Sequence, residues 1–143
     1  MGYNLFLDDD GARTPPKVAT WFPKEYREDY AQANWDRVYN YDQFVKMIKK
    51  HGLPEMVSFD HDLANEHYAM VGETSYKKFK EKTGFHCMQF MIEYMIENSA
   101  PPPRVFVHSM NPVGRENIGI LFNNFLKHFK WETLREYAIL TGR

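Results

Sequence analysis

A chain of 143 residues holds one domain, and its 43% hydrophobic and 26% charged residues let it bury a core and stay in solution. A formal net charge of -1 excludes a long polyanion such as duplex nucleic acid as the main ligand, because neutralising many phosphates needs a basic excess. The single Cys87 excludes an internal disulfide framework and fits a reducing cytosol. No apolar run approaches the roughly 20 residues that span a bilayer, and the start Met1-Gly2-Tyr3 lacks a charged n-region. A cytoplasmic location without membrane contact is expected.

The first strand is expected at Asn4–Leu7. Pro15, Pro16 and Pro23 then predict an irregular inserted loop over about 14–34, followed by a second strand near Trp35–Tyr39. Asp42 can cap a helix with Phe44, Val45 and Ile48 on one face, ended by Gly52 and Pro54. A third strand, Met56–Phe59, leads into a polar and weakly periodic stretch over about 64–83 that reads as a second inserted loop. Phe85, Met88, Met91, Ile92, Met95 and Ile96 have helical spacing. After Pro101-Pro102-Pro103 comes a fourth strand at Arg104–Val107, then an amphipathic helix marked by Ile118, Leu121, Phe122, Phe125, Leu126 and Phe129. The tail 131–143 reads equally as strand or helix. This alternation predicts one α/β domain over 1–143, a three-layer flavodoxin-like open parallel sheet of order 2-1-3-4-5.

In such a sheet the carboxyl ends of the strands share one rim, where ligands bind. Three strands end there on reactive side chains: Asp8-Asp9-Asp10, Asp60-His61-Asp62 and His108-Ser109. Carboxylates from two strands make a hard oxygen site suited to Mg²⁺, with Asp8, Asp9, Asp60 and Asp62 as candidate ligands. The ordinary alternative for an Asp triplet is a helix cap and a solvated turn. Asp60, His61 and His108 are candidates for phosphoryl and proton-transfer chemistry, since a polar group beyond a buried strand costs desolvation unless paired, metal-bound or at work. The segment from Ser109 and Asn111 through Gly114 and Arg115 can cradle an anion at a helix start, with Arg115 as a planar donor fork. It can equally be plain capping by Asn111 ahead of Pro112. His51, His67, His86 and His128 stand apart from any cluster and read as surface or structural. Trp21, Phe22, Tyr26 and Tyr30 read as loop packing, with one or two able to stack on a base.

The motifs LFLDD followed by RTPP, SFDHDL, TGF before a helix, and VFVHSMNPVGREN together resemble the cyclic-phosphate processing receiver domain family, a relative of the response-regulator receiver fold. The resemblance runs from the first strand to the helix after the fourth. It implies a site of Asp8, Asp9, Asp60, His61, Asp62, His108, Ser109 and Asn111, with Arg13 nearby. It also implies a cyclic phosphate on a nucleotide or an RNA end as substrate. The Lys expected after the fifth strand of a phosphorylation receiver is not recognisable in 131–143. That absence and the two added histidines favour catalysis over a switch. The expected activity is a phosphodiesterase using a divalent metal, Mg²⁺ first, with one histidine as base and the other as acid. The competing expectations are a non-enzymatic module that binds a nucleotide or partner, and a metal-dependent nuclease or phosphomonoesterase.

Overall fold

Four short segments lie side by side as parallel strands: β1 (Asn4–Leu7), β2 (Trp35–Val38), β3 (Met56–Phe59) and β4 (Arg104–Val107), in the order β2-β1-β3-β4. At the far edge the backbone of Leu140–Thr141, β5, pairs in parallel with Phe106 and Val107. This computed structural model describes residues 2–63 and 82–128 together with the 140–141 pairing. The second inserted loop expected at 64–83 therefore lies outside the described residues, except at its last two positions. The tail at 131–143 is described only through β5.

The register decides which side chains share a face. Leu7, Phe59 and Val107 are partners at the strand ends, and so are Phe6, Ser58 and Phe106 one step earlier. Side chains alternate along a strand, so the second set faces the opposite side from the first. Leu5, Leu7, Val57, Phe59, Val105 and Val107 pack into the larger core. That core is closed by α3 (Tyr41–His51), α4 (Gly84–Asn98) and α5 (Pro112–His128). Their buried residues recur at helical spacing: Phe44 and Ile48 on α3, Met88, Met91 and Met95 on α4, Ile118, Phe122 and Phe125 on α5. Full burial of each such side chain contributes about 1.5–3 kcal/mol. Gly52, at φ 81, ends α3, and Asn40 rather than Asp42 caps its start by accepting from the Gln43 amide. Asp42 lies in the first turn instead.

The segment 14–34 is not an irregular loop. It folds as α1 (Pro15–Ala19) and α2 (Lys24–Gln32), the crossover that two neighbouring parallel strands require. The prolines do not oppose this. Pro15 and Pro16 occupy the first turn of α1, where the missing N–H breaks no helical bond, and Pro23 is the cap of α2. Val18, Ala19, Phe22 and Tyr30 bury against Phe6 and Phe106 as a second, smaller core on the other face of the sheet. Phe22 and Tyr30 are therefore core residues, with no exposed ring to offer a base.

Candidate functional site

Each strand delivers one residue past its last rung. The amides of Asp8, Asp60 and His108 still bond across the sheet, to the carbonyls of Val38, Leu7 and Phe59 at 3.1, 3.0 and 2.9 Å. These three residues have the parity of Phe6, Ser58 and Phe106, so their side chains start on the α1–α2 face. Asp8 and His108 are fully buried and Asp60 nearly so.

Asp8, Asp9 and Asp60 each offer a carboxylate oxygen, and the three atoms lie within 4.8 Å of one another. Arg13 closes this group. Its Nη1 is 3.4 Å from Asp60 Oδ2 and 3.7 Å from Asp8 Oδ2, and its Nε is 3.5 Å from Asp10 Oδ2. Burial pushes the Asp60 carboxyl well above the usual range, and the negative charge of Asp8 pushes it further, against the opposing pull of Arg13. An all-oxygen donor set under mutual repulsion fits a hard divalent cation, which would relieve that repulsion. Asp62, expected as a further ligand, stands outside the group. Its Oδ1 is 2.7 Å from His61 Nδ1 and accepts from Asn111 Nδ2 at 3.1 Å.

His108 Nε2 lies 3.0 Å from Asp8 Oδ2, and its Nδ1 lies 2.6 Å from Ser58 Oγ. Its ring stacks on Phe6, with centroids 4.7 Å apart and planes 6° from parallel. Burial pushes the His108 pKa down; Asp8 opposes this, and Arg13 and Arg37 add to it. His61 is also fully buried. It packs against Gly114, where a Cβ would fall 2.2 Å from the ring. The need for glycine at 114 thus comes from the imidazole of His61 and does not require a ligand.

The loop after β4 is organised by its own groups. Asn111 Oδ1 caps α5 by accepting from the Gly114 amide at 3.1 Å. The Asn111 amide donates to Ser109 Oγ at 3.1 Å, and Arg115 Nη1 donates to the Ser109 carbonyl at 3.3 Å. In the segment expected to cradle an anion, the amides of Asn111 and Gly114 are thus engaged within the loop. Two further residues hold the site and were not among the sequence candidates. Arg37 of β2 donates to the carbonyls of Asp8, Asp10 and Arg13 and lies over the Phe6 ring. Ser58 joins His108 to Tyr30. A cavity of about 850 Å³, lined by Asn4, Tyr94 and Arg104 among others, lies at the opposite, amino end of the strands and includes none of the candidate site residues.

The model of the Cyclic-phosphate processing Receiver domain matches residues 3–124. The chain belongs to that family. The match takes in β1 through most of α5, and so every residue of the site described above. No curated protein matches the chain. A solved structure titled as a yeast Spc42 trimeric coiled-coil fusion aligns with a TM-score of 0.44 and 13% identity. The alignment covers 82% of this chain and 58% of that one, and at such distance it carries no argument. As a member of a cyclic-phosphate processing family, the receiver domain carries Asp8, Asp9 and Asp60 as residues that could hold a metal. No helix among the described residues is long and apolar enough to cross a membrane.

Proposed function

We propose that this protein hydrolyses a cyclic phosphate ester on a nucleotide or RNA end at the rim formed by β1, β3 and β4. The observation that carries this reading is the meeting of Asp8, Asp9 and Asp60 within 4.8 Å, beside Arg13 and the buried His108, with the buried His61 next to Asp60 in the chain. Membership of the family supports the substrate class.

Asp8, Asp9 and Asp60 would hold a divalent cation, Mg²⁺ by the hardness of its ligands. When bound, such an ion polarises a phosphoryl oxygen and stabilises the charge that builds in the transition state. Arg13, whose guanidinium already spans Asp8 and Asp60, presents a positive charge to the same phosphoryl group. His61 is the proton carrier. With Nδ1–H held by Asp62, and Asp62 held by Asn111, Nε2 is the basic nitrogen. Water's oxygen bonds to phosphorus while its proton passes to His61. The ring P–O bond breaks, and His61 returns the proton to the leaving ribose oxygen, giving a phosphomonoester. His108 has both ring nitrogens within hydrogen-bond distance of Asp8 and Ser58. It enters as a positioning residue for Asp8, a narrower role than the acid or base that the sequence suggests.

The test is a turnover screen of ribonucleoside 2′,3′-cyclic phosphates, cyclic dinucleotides and linear phosphomonoesters, each with Mg²⁺ and with chelator. Opening of a cyclic ester that depends on His61 supports the reading. Binding of the cyclic ester without turnover indicates a binding module, and turnover of linear monoesters alone indicates a phosphomonoesterase.

A further inference from the structure

We propose that the buried hydroxyl pair Tyr30–Ser58 sets the tautomer of His108, so that Nε2–H is aimed at Asp8 and fixes the orientation of that carboxylate. The functional consequence rests on reading Asp8 as a metal ligand; the tautomer itself does not.

The geometry is a chain of contacts through the smaller core. Tyr30 OH lies 2.6 Å from Ser58 Oγ, Ser58 Oγ lies 2.6 Å from His108 Nδ1, and His108 Nε2 lies 3.0 Å from Asp8 Oδ2. All four side chains are fully buried. Ser58 is flanked in register by Phe6 and Phe106, on a face where an apolar residue would serve packing alone. A hydroxyl placed there must find partners, since a buried one left unsatisfied keeps the full cost of its lost hydration. It has two, one from α2 and one from the rim.

The direction of the chain follows from its ends. Asp8 is met by the Asp10 amide on Oδ1 at 2.8 Å and by Arg13 on Oδ2, two groups that can only donate, with the carboxylates of Asp9 and Asp60 within 4.8 Å. Asp8 therefore accepts from His108 Nε2–H. In a neutral imidazole Nδ1 then carries the lone pair and accepts from the Ser58 hydroxyl. Ser58 has one proton to give, so its remaining contact accepts from Tyr30 O–H. Every donor points the same way, from α2 towards the rim. The reverse polarity would need a proton on Asp8, with the Asp10 amide and Arg13 already turned to it. The arrangement matches the rule that the second ring nitrogen of a histidine, and the groups behind it, orient the ligand in front.

Two measurements on the intact protein decide this. Nitrogen-15 spectra of the His108 ring should show Nε2 protonated and Nδ1 accepting in the wild type. Calorimetric titration with Mn²⁺ should show Ser58→Ala weakening binding about 10-fold or more, the usual worth of a group behind a metal ligand. Tyr30→Phe, which leaves the Ser58 hydroxyl in place, should lose less, and Ser58→Thr should restore most of the affinity. Circular dichroism confirms that each variant is folded. A proton found on Nδ1 of the wild type overturns the proposal, as does a folded Ser58→Ala with unchanged ring spectra and Mn²⁺ affinity. If the wild type binds no Mn²⁺ at millimolar concentration, the metal reading falls and the ring spectra alone decide the tautomer.

Discussion

The imidazole of His61 rests against the backbone of Gly114 so closely that a Cβ there would sit 2.2 Å from its Cγ. The contact joins the turn after β3 to the first turn of α5, and it sets the plane of the ring that Asp62 holds from the other side.

Gly114→Ala therefore displaces His61 instead of merely filling space. The obstacle is a buried ring, so the expected cost is about 1–3 kcal/mol of stability, as for overpacking elsewhere. Turnover should fall by roughly 10²-fold or more if His61 carries the proton. Mn²⁺ affinity should stay within about 3-fold, the scatter expected of an independent site, because the atoms nearest a Cβ at 114 belong to the His61 ring and not to the three carboxylates. Calorimetry and steady-state kinetics on the same preparation separate the two effects. Equal losses in both would place Gly114 in the general fold rather than behind His61.

Asp60 is one of the three carboxylates that could hold a cation. Mg²⁺ at about 100 times its Kd should stabilise the folded protein by about 2.7 kcal/mol. For a chain of this size that raises Tm by roughly 5–10 °C. Asp60→Asn should abolish this gain and raise the Tm of the metal-free protein, because it removes a buried charge that Asp8 repels. Thermal melts with Mg²⁺ and with chelator check both signs. A metal-free Asp60→Asn that melts below the wild type counts against the repulsion.

The same carboxyl predicts a pH dependence with an unusual sign. Its folded pKa lies above the unfolded value of about 3.9, so between the two the folded state holds the proton more tightly. Metal-free stability should fall as pH rises from about 4 through the folded pKa. His108 acts oppositely. Its folded pKa is depressed, so its contribution is present above the unfolded value of about 6.5 and is lost as pH falls through the lower folded value. The difference in Tm between metal-free Asp60→Asn and wild type isolates the Asp60 share. It should be small near pH 4 and widen towards neutrality, and a flat difference would remove the pKa shift.

Arg37 ties down the turn that carries the acidic pair, through three carbonyls and the Phe6 ring. Arg37→Lys keeps the charge but loses the planar fork. Weaker Mn²⁺ binding, by about 10-fold on the scale of groups that orient metal ligands, is the expected result. Replacement without effect would make Arg37 a surface cation.

Much of this arrangement was legible in the chain. Alternating apolar runs gave the four main strands, and polar residues directly after three of them marked the rim. The crossover at 14–34 was hidden because three prolines read as breakers, although two of them occupy first-turn positions that tolerate them. Ser58 was hidden because one hydroxyl in an apolar strand shows its purpose only when the register sets it opposite Phe6 and Phe106. Tyr30 was hidden for the same reason, since its partner is 28 positions away. Apart from Arg37, the residues that bear charge at the site announced themselves, whereas those that orient them depend on pairings between distant parts of the chain.

Asp8 and His108 stand 100 positions apart, yet they meet at 3.0 Å. Between them in the sheet lies β3, which must seat itself against β1 before β4 can dock. During synthesis β1 emerges first, but His108, the partner of Asp8, arrives only after most of the chain has left the ribosome. Until then the acidic turn has its strand neighbours β2 and β3 but lacks its imidazole, and contacts of such long span form slowly. A cation site that depends on the contact of Asp8 with His108 would form late, and a chain halted before β4 should acquire helices α1–α3 without binding Mn²⁺.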